Sequence, residues 1–181
     1  MKENTVIIGI GGAGCKILSK LSLNIPKVFI DTDKEVEEKF SGLRIGKKVC
    51  GDYSTCGDIS NGEIAAIENK SEILDKIGRF ENWIIIAPMG GGTTCGTTKK
   101  IVEFACDNKK FVKVITSLPF EWEGNTRKLH AVNTLLYIEN FCEVIKLKFD
   151  KTKHTEKISL NEFFAIFDEI YISELENILS K

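Results

Sequence analysis

A three-layer, doubly wound α/β fold with a mostly parallel sheet is predicted here by three observations. Short β-branched runs alternate with longer helical stretches, the runs are almost wholly apolar, and two of them lead straight into glycine-rich turns. Nearly continuous apolar strands suit a parallel sheet that helices cover on both faces, whereas a half-exposed strand would alternate apolar with polar. In chain order, the first strand is Thr5–Gly9 (TVIIG), followed by a helix over 13–22 with its apolar side at Ile17, Leu18 and Leu21. Lys27–Asp31 (KVFID) is the second strand, and 62–79 is helical with a break. Trp83–Ala87 (WIIIA) is the third strand, with a helix over 94–109 behind it. Phe111–Thr116 (FVKVIT) and Glu143–Lys148 (EVIKLK) are the last two strands, with helices over 125–141 and 159–180. The Lys-rich stretch from Lys148 to Lys157 reads as a loop. Sheets of this kind take their ligands outside the carboxyl ends of the strands, where the unusual residues collect here.

Composition narrows the function. A chain of 181 residues, 43% hydrophobic, is sized for one compact domain, residues 1–181, and not for two. With 25 basic against 26 acidic residues the formal net charge is -1, which leaves no broad cationic surface for nucleic-acid phosphates. Only Arg44, Arg79 and Arg127 carry a guanidinium, so planar bidentate contacts are scarce. No apolar run reaches the roughly 18 residues of a membrane span. Lys2 and Glu3 lead straight into the first strand without a signal-type core, so a soluble, cytoplasmic protein is expected. Six cysteines (15, 50, 56, 95, 106, 142) form no C-x-x-C pair, and only His130 and His154 stand by to help them hold a metal. They read as reduced thiols.

The first glycine segment is Gly9-Ile10-Gly11-Gly12-Ala13-Gly14-Cys15-Lys16, at the junction of strand and helix. Glycine there lets backbone amides approach a phosphate while the helix N-terminus supplies partial positive charge. Taken alone it also fits Gly-x-Gly-x-x-Gly, and Asp31 lies where a dinucleotide fold keeps its ribose-binding acid. The plainer alternative is glycine used only for close helix–sheet packing. The second segment, Pro88-Met89-Gly90-Gly91-Gly92-Thr93-Thr94-Cys95-Gly96-Thr97-Thr98, opens another helix. Dinucleotide folds use one such cradle for one pyrophosphate, so two cradles fit a nucleoside di- or triphosphate better.

Together these segments resemble the tubulin/FtsZ family, whose fingerprint pairs a glycine loop on the first helix with Gly-Gly-Gly-Thr-Gly-Thr-Gly on a later one. Asp31-Thr32-Asp33 looks like that family's Asn-Thr-Asp. Pro119-Phe120-Glu121-Trp122-Glu123-Gly124-Asn125-Thr126-Arg127 is similar to its Pro-Phe-x-Phe-Glu-Gly-x-x-Arg. Four motifs in order, over about residues 5 to 180, are far more specific than any one. The resemblance implies GTP or GDP as ligand. Gly11, Gly12, Ala13 and Gly14 would hold the α and β phosphates, and Gly90, Gly91, Gly92 and Thr93 the β and γ phosphates. Asp33 belongs to the same set through its motif. Glu123 would accept from a ribose hydroxyl, and Arg127 would lie against sugar and phosphate unless it is merely a solvated helical residue. Phe164 and Asp168, four apart on the last helix, match the positions that pack on and hydrogen-bond to guanine. Lys16 stands where the family has Asn near the base, and its ammonium would reach O6 or else lie on the helix surface.

Departures from the family pattern are expected to matter. Cys15, Thr94 and Cys95 replace small residues, Asp31 replaces Asn, and Phe149 falls where an Asn is expected near the sugar. A carboxylate at Asp31 would repel a triphosphate unless a cation such as Mg²⁺ intervened. The family's helix leads on to an acidic loop and a second domain, both expected to be absent here because the sequence ends at Lys181. No catalytic residue is therefore assigned. The expectation is a nucleotide-binding regulatory or assembly partner, of a family tied to the cytoskeleton and cell division, with weak or no hydrolysis of its own. Competing readings are a GTPase completed by another subunit, a Rossmann module for NAD or ATP, and a nucleotide-free scaffold. Along the last helix Leu160, Phe163, Phe164, Phe167, Ile170, Tyr171, Leu175, Ile178 and Leu179 form a band broader than one stripe. Its excess marks an expected contact with a second copy or an FtsZ-like partner, unless it tucks under a loop or frays.

Overall fold

A computed structural model describes residues 4–51, 53–148 and 159–180. In chain order the elements are β1 (Thr5–Ile10), α1 (Gly11–Ser19), β2 (Lys27–Asp31), α2 (Glu35–Phe40), β3 (Leu43–Arg44), α3 (Lys47–Cys50), α4 (Ile59–Glu68) and α5 (Lys70–Ile77). There follow β4 (Asn82–Ile86), α6 (Gly92–Asp107), β5 (Phe111–Ser117), a 3-10 turn (Glu121–Glu123), α7 (Asn125–Ile138), β6 (Glu143–Leu147) and α8 (Leu160–Ser180). The sheet has six strands in the order β3-β2-β1-β4-β5-β6, every pairing parallel. The predicted doubly wound architecture is the observed one.

Strand periodicity sorts the core into two layers. Val6, Ile8 and Ile10 of β1, with Trp83 and Ile85 of β4, face the layer built by α4, α5, α6 and α7. Ile7 of β1 and Ile84 and Ile86 of β4 face α1 and α8 on the other side. Both faces are thus apolar, which is why these strands lack the alternation of an exposed sheet. Trp83, fully buried, places its Nε1–H on the Phe80 carbonyl at 3.0 Å, so its one polar atom is satisfied.

The break expected within 62–79 is Asn69, between α4 and α5. Its Oδ1 accepts from the Gly46 amide at 2.8 Å, tying the junction to the loop before α3. α4 begins earlier than predicted because Asp58 caps it, accepting from Ser60 N at 2.7 Å. Four elements, α2, β3, α3 and the 3-10 turn, are not marked in the sequence. α2 buries only Val36, so it offers no apolar period, and β3 is a two-residue edge strand. α3 is a four-residue turn with no buried residue. The predicted loop over Lys148 to Lys157, and with it Phe149 and His154, lies almost wholly outside the described residues.

α8 lies against the sheet through Phe167, Tyr171, Leu175, Ile178 and Leu179, all buried. Most of the broad apolar band is therefore covered. Leu160 and Phe164, at the start of the helix, remain 66% and 37% exposed. The register of α8 is pinned by Tyr171, whose buried hydroxyl donates to Ser117 Oγ at 2.9 Å, at the end of β5. Tyr171→Phe removes that bond and strands the Ser117 hydroxyl, at an expected cost of about 1 kcal/mol. Urea unfolding followed by circular dichroism measures it; an unchanged midpoint would show that the pin carries no stability.

Candidate functional site

The strand order reverses direction at β1 and β4, and α1 and α6 leave their carboxyl ends toward opposite faces of the sheet. A crevice must open at such a point. The one here has a volume of about 430 Å³, within the usual range for small-molecule sites. Its walls include Gly11, Gly12 and Ala13 from the first glycine segment and Gly91, Gly92, Thr93 and Thr94 from the second. Asp31 and Asp33, Ser54 and Thr55, and Glu123, Arg127, Phe164 and Phe167 complete most of the rest.

Gly11–Gly14 of the first segment form the opening turn of α1, whereas in the second Gly90 and Gly91 precede the helix and Gly92 is its first residue. α1 follows Ile10 and α6 follows Gly91, and neither N-cap residue supplies a capping side chain. The first-turn N–H groups of both helices thus lack the usual side-chain acceptor, and the helix dipoles add positive potential at the same place. The two openings touch. Gly11 has φ +73°, and a Cβ there would collide with the Thr94 hydroxyl. Only glycine satisfies both the backbone and the contact.

Hydroxyls line the floor on the β2 side. Thr93 Oγ1 lies 2.7 Å from Thr32 Oγ1 and 3.3 Å from Thr55 Oγ1, all three buried. Beside them Asp31 is 7% exposed, and its Oδ2 would lie 3.7 Å from a Cβ on Gly12. Burial pushes the Asp31 carboxyl up to about 6, and the charges of Asp33 and Glu35 act in the same direction. The Thr32 N–H, 2.7 Å from Oδ1, holds it partly back. On the opposite wall Glu123 accepts from the Phe120 amide at 2.8 Å and pairs with Arg127 at 2.9 Å. Glu123, at the end of the 3-10 turn, and Arg127, in α7, hold each other across the junction, and both line the cavity.

The two buried cysteines, Cys15 and Cys95, are packing groups. Cys15 lies under the first turn of α1, its thiol 3.4 Å from the Gly9 carbonyl and 3.7 Å from that of Ile30. Burial and then the Asp31 charge push it up to about 12, so it stays a neutral thiol. Cys95 Sγ accepts the Gly90 amide at 3.3 Å and is likewise raised by burial. Among the described residues no group of three or more His, Cys, Asp or Glu is arranged to hold a metal ion.

The model of the Tubulin/FtsZ family, GTPase domain, matches residues 4–149. The chain belongs to the Tubulin/FtsZ family. It is similar to the cell division protein FtsZ of Helicobacter pylori, 27% identical over 184 residues that cover 96% of this chain and 48% of that protein. The solved FtsZ dimer of M. jannaschii superposes with a TM-score of 0.88 at 24% identity, covering 98% of this chain and 55% of that one. CetZ2 of Haloferax volcanii, solved as a GTPγS-bound protofilament, gives 0.83 at 20% identity over 97% of this chain and 58% of its own. At these identities the two structures establish the shared fold. The chain spans about half the length of the relatives it matches.

Against the family's pattern, the crevice gathers Gly11, Gly12, Ala13, Asp33, Gly91, Gly92, Thr93, Glu123, Arg127 and Phe164. Four expected residues stand off its wall. Gly14 is a packing residue: a Cβ would lie 2.5 Å from the Ile86 carbonyl of β4. Gly90 spends its N–H on Cys95. Asp168 is buried and paired with Lys20, Nζ to Oδ2 2.7 Å. Lys16 lines a neighbouring cavity that shares Gly12, Asp31 and Asp33 with this one. Ser54, Thr55 and Gly57 were not foreseen. Their legible trace was Asp58, a helix cap that places the preceding turn against α6.

Asp31 makes a titratable signature. Its folded value, about 6, exceeds the ordinary one, so between roughly pH 4 and 6 the folded chain holds a proton the unfolded chain releases. Stability therefore falls as pH rises through that window and stays lower above it. Asp31→Asn is expected to add on the order of 2 kcal/mol to unfolding at pH 7.5 and little at pH 4. Urea unfolding at both values reads the difference, and equal effects would place the carboxylate's cost elsewhere.

Proposed function

We propose that this chain binds a guanine nucleotide, GTP or GDP, with the phosphates seated between the first turns of α1 and α6. The observation that carries the reading is the contact of Gly11 with Thr94, which makes two uncapped helix starts one continuous rim of amides. Gly11, Gly12 and Ala13 would hold the α and β phosphates, and Gly91, Gly92 and Thr93 the β and γ phosphates. Gly14 and Gly90 would shape the two cups from behind. Glu123 would take a ribose hydroxyl, with Arg127 beside sugar and phosphate, and Asp33 would close the β2 side. Phe164, exposed on the cavity wall, would carry the base. A family match over most of the chain, and a relative solved with GTPγS, support the choice of nucleotide. A Rossmann reading with NAD leaves the α6 cup without a use.

Mg²⁺ fits this site only as a partner of the phosphates. With no three-ligand group among the described residues, it would rest on phosphate oxygens together with Asp31 or the Thr93 hydroxyl. There it would offset the charge that Asp31 brings.

Binding is favoured over turnover. Of the carboxylates on the wall, Glu123 is held by Arg127 and the Phe120 amide, Asp33 accepts from Glu35 N at 2.9 Å, and Asp31 is buried. Each already accepts a backbone N–H, which supports a binding role over the orienting of an attacking water. The chain then acts as a regulatory or assembly partner, meeting a second copy or an FtsZ-like chain where α8 leaves Leu160 exposed. A GTPase completed between subunits is the second reading, favoured by the open rim beside α6.

Calorimetry on the purified 181-residue chain is expected to give GTP and GDP affinities at least about tenfold tighter than those for GMP or NAD. NAD binding better than GDP overturns the reading. Phosphate release per molecule is expected to stay flat as protein concentration rises; a steep rise instead selects the shared-site GTPase.

A further inference from the structure

Another cavity, of about 320 Å³, opens where β2 begins and the chain turns from α2 into β3. It shares no lining residue with the crevice. The local sequence builds its first wall. Gly42 follows α2 in a turn closed by its own N–H on the Val36 carbonyl at 2.9 Å. A Cβ on Gly42 would lie 2.8 Å from the Phe29 carbonyl of β2, so only glycine lets the turn come this close. That approach stacks Phe40, the last residue of α2, on Phe29, with ring centres 5.3 Å apart and planes 15° from parallel. Both rings are half-buried and line the cavity.

The end of α5 supplies the second wall. Ile73 and Ile77 turn into the core, which leaves Asp75, Lys76 and, just past the helix, Arg79 on the cavity. Lys27, at the start of β2, adds a third cation; its ammonium donates to the Leu21 carbonyl and keeps further hydrogens for a ligand. Against these three stands one carboxylate, that of Asp75. Neither Lys76 nor Arg79 has an ion-pair partner among the described residues. The Arg79 guanidinium lies 4.7 Å from the centre of the Phe80 ring, and a guanidinium steadied on a ring face keeps its edge of N–H donors for a pair of oxygens. The other two arginines are engaged: Arg127 with Glu123, and Arg44 with the carbonyls of Thr32 and Gly51.

We propose that this cavity is a second ligand site, one that takes a small aryl phosphate, with the phosphate oxygens on Arg79 and Lys76 and the ring against Phe29 and Phe40. Three cations facing one carboxylate suit a dianion, which favours phosphate over carboxylate. A phosphate without a ring would forgo the aromatic wall, and a neutral ring would leave the cations unpaired. The volume is at the small end of the range for small-molecule sites, which suits one ring better than a nucleotide. The site stands apart from the crevice and does not depend on what the crevice binds.

Titrating the 181-residue chain with phenyl phosphate, with and without GDP, and following backbone amides by NMR locates the site. Shifts are expected at Phe29, Ser41, Gly42 and Arg79 under both conditions, and not at Gly11 or Gly92. Phenyl phosphate is expected to bind at least about tenfold more tightly than inorganic phosphate or benzyl alcohol, each of which offers half of the match. Arg79→Gln is expected to weaken it at least about tenfold, while Asp75→Asn, which removes the one opposing charge, strengthens it about threefold. Both positions are exposed, so thermal unfolding of the two variants should match the parent. No shift at Arg79 up to about 10 mM phenyl phosphate, inorganic phosphate binding equally well, an affinity unchanged in Arg79→Gln, or shifts confined to the crevice overturns the proposal.

Discussion

The site depends on one steric constraint: two helices begin against each other at the centre of the sheet. Gly11 and Thr94 meet because β1 and β4 are neighbours while α1 and α6 depart to opposite faces. A side chain at position 11 would collide with the Thr94 hydroxyl, and φ +73° would strain it besides. That close approach aims the unpaired amides of both first turns into the same space. The sheet order thus determines where positive potential is concentrated, and the glycine determines how tightly.

Charge around the crevice is already spoken for. Asp168 is neutralised by Lys20, Glu123 by Arg127, and Glu35 by Lys39. Among the described residues Asp31 and Asp33 have no such partner, and burial shifts Asp31 toward the protonated form. A polyanion entering this crevice meets amides and hydroxyls backed by an acid whose proton affinity is raised, which makes proton and cation concentration natural partners in binding. The hydroxyls of Thr55 and Thr93 on the wall reinforce this, because neutral donors recognise phosphate oxygen without bringing a counter-charge of their own.

The fold was legible because its strands announce themselves. Ile84, Ile85 and Ile86 have no polar neighbour to mark an exposed face, and that single fact implies helices on both sides. The short pieces between β2 and α4 were not legible. Val36 is the sole buried anchor of α2, and one anchor makes no period. At the site, Phe164 and Glu123 stand on the crevice wall and were named from motif and spacing alone. The ion pair of Asp168 could not be, because Lys20 comes from a different helix and only the docking of α8 on α1 brings them together. Cys95 departs from the family's small residue, and its role, taking the Gly90 amide, depends on a backbone bend at φ +124° that composition does not reveal.

The second glycine run serves two neighbours. Gly92 and Gly96 are one turn apart on α6 and lie against α4, where a Cβ on Gly92 would lie 2.6 Å from Thr55 Oγ1 and one on Gly96 2.6 Å from the Glu63 amide. Gly62 of α4 approaches the Gly92 carbonyl from the other side, so the two helices cross backbone to backbone. Thr55 is carried into the cavity wall by this crossing, which is why a residue from the unpredicted segment ahead of α4 hydrogen-bonds to Thr93. Gly91, Gly92 and Thr93 also line the crevice. A run of glycines at a helix start therefore serves two approaches at once, that of a neighbouring helix and that of a ligand. The helix crossing it allows positions the wall that Gly91 and Thr93 complete.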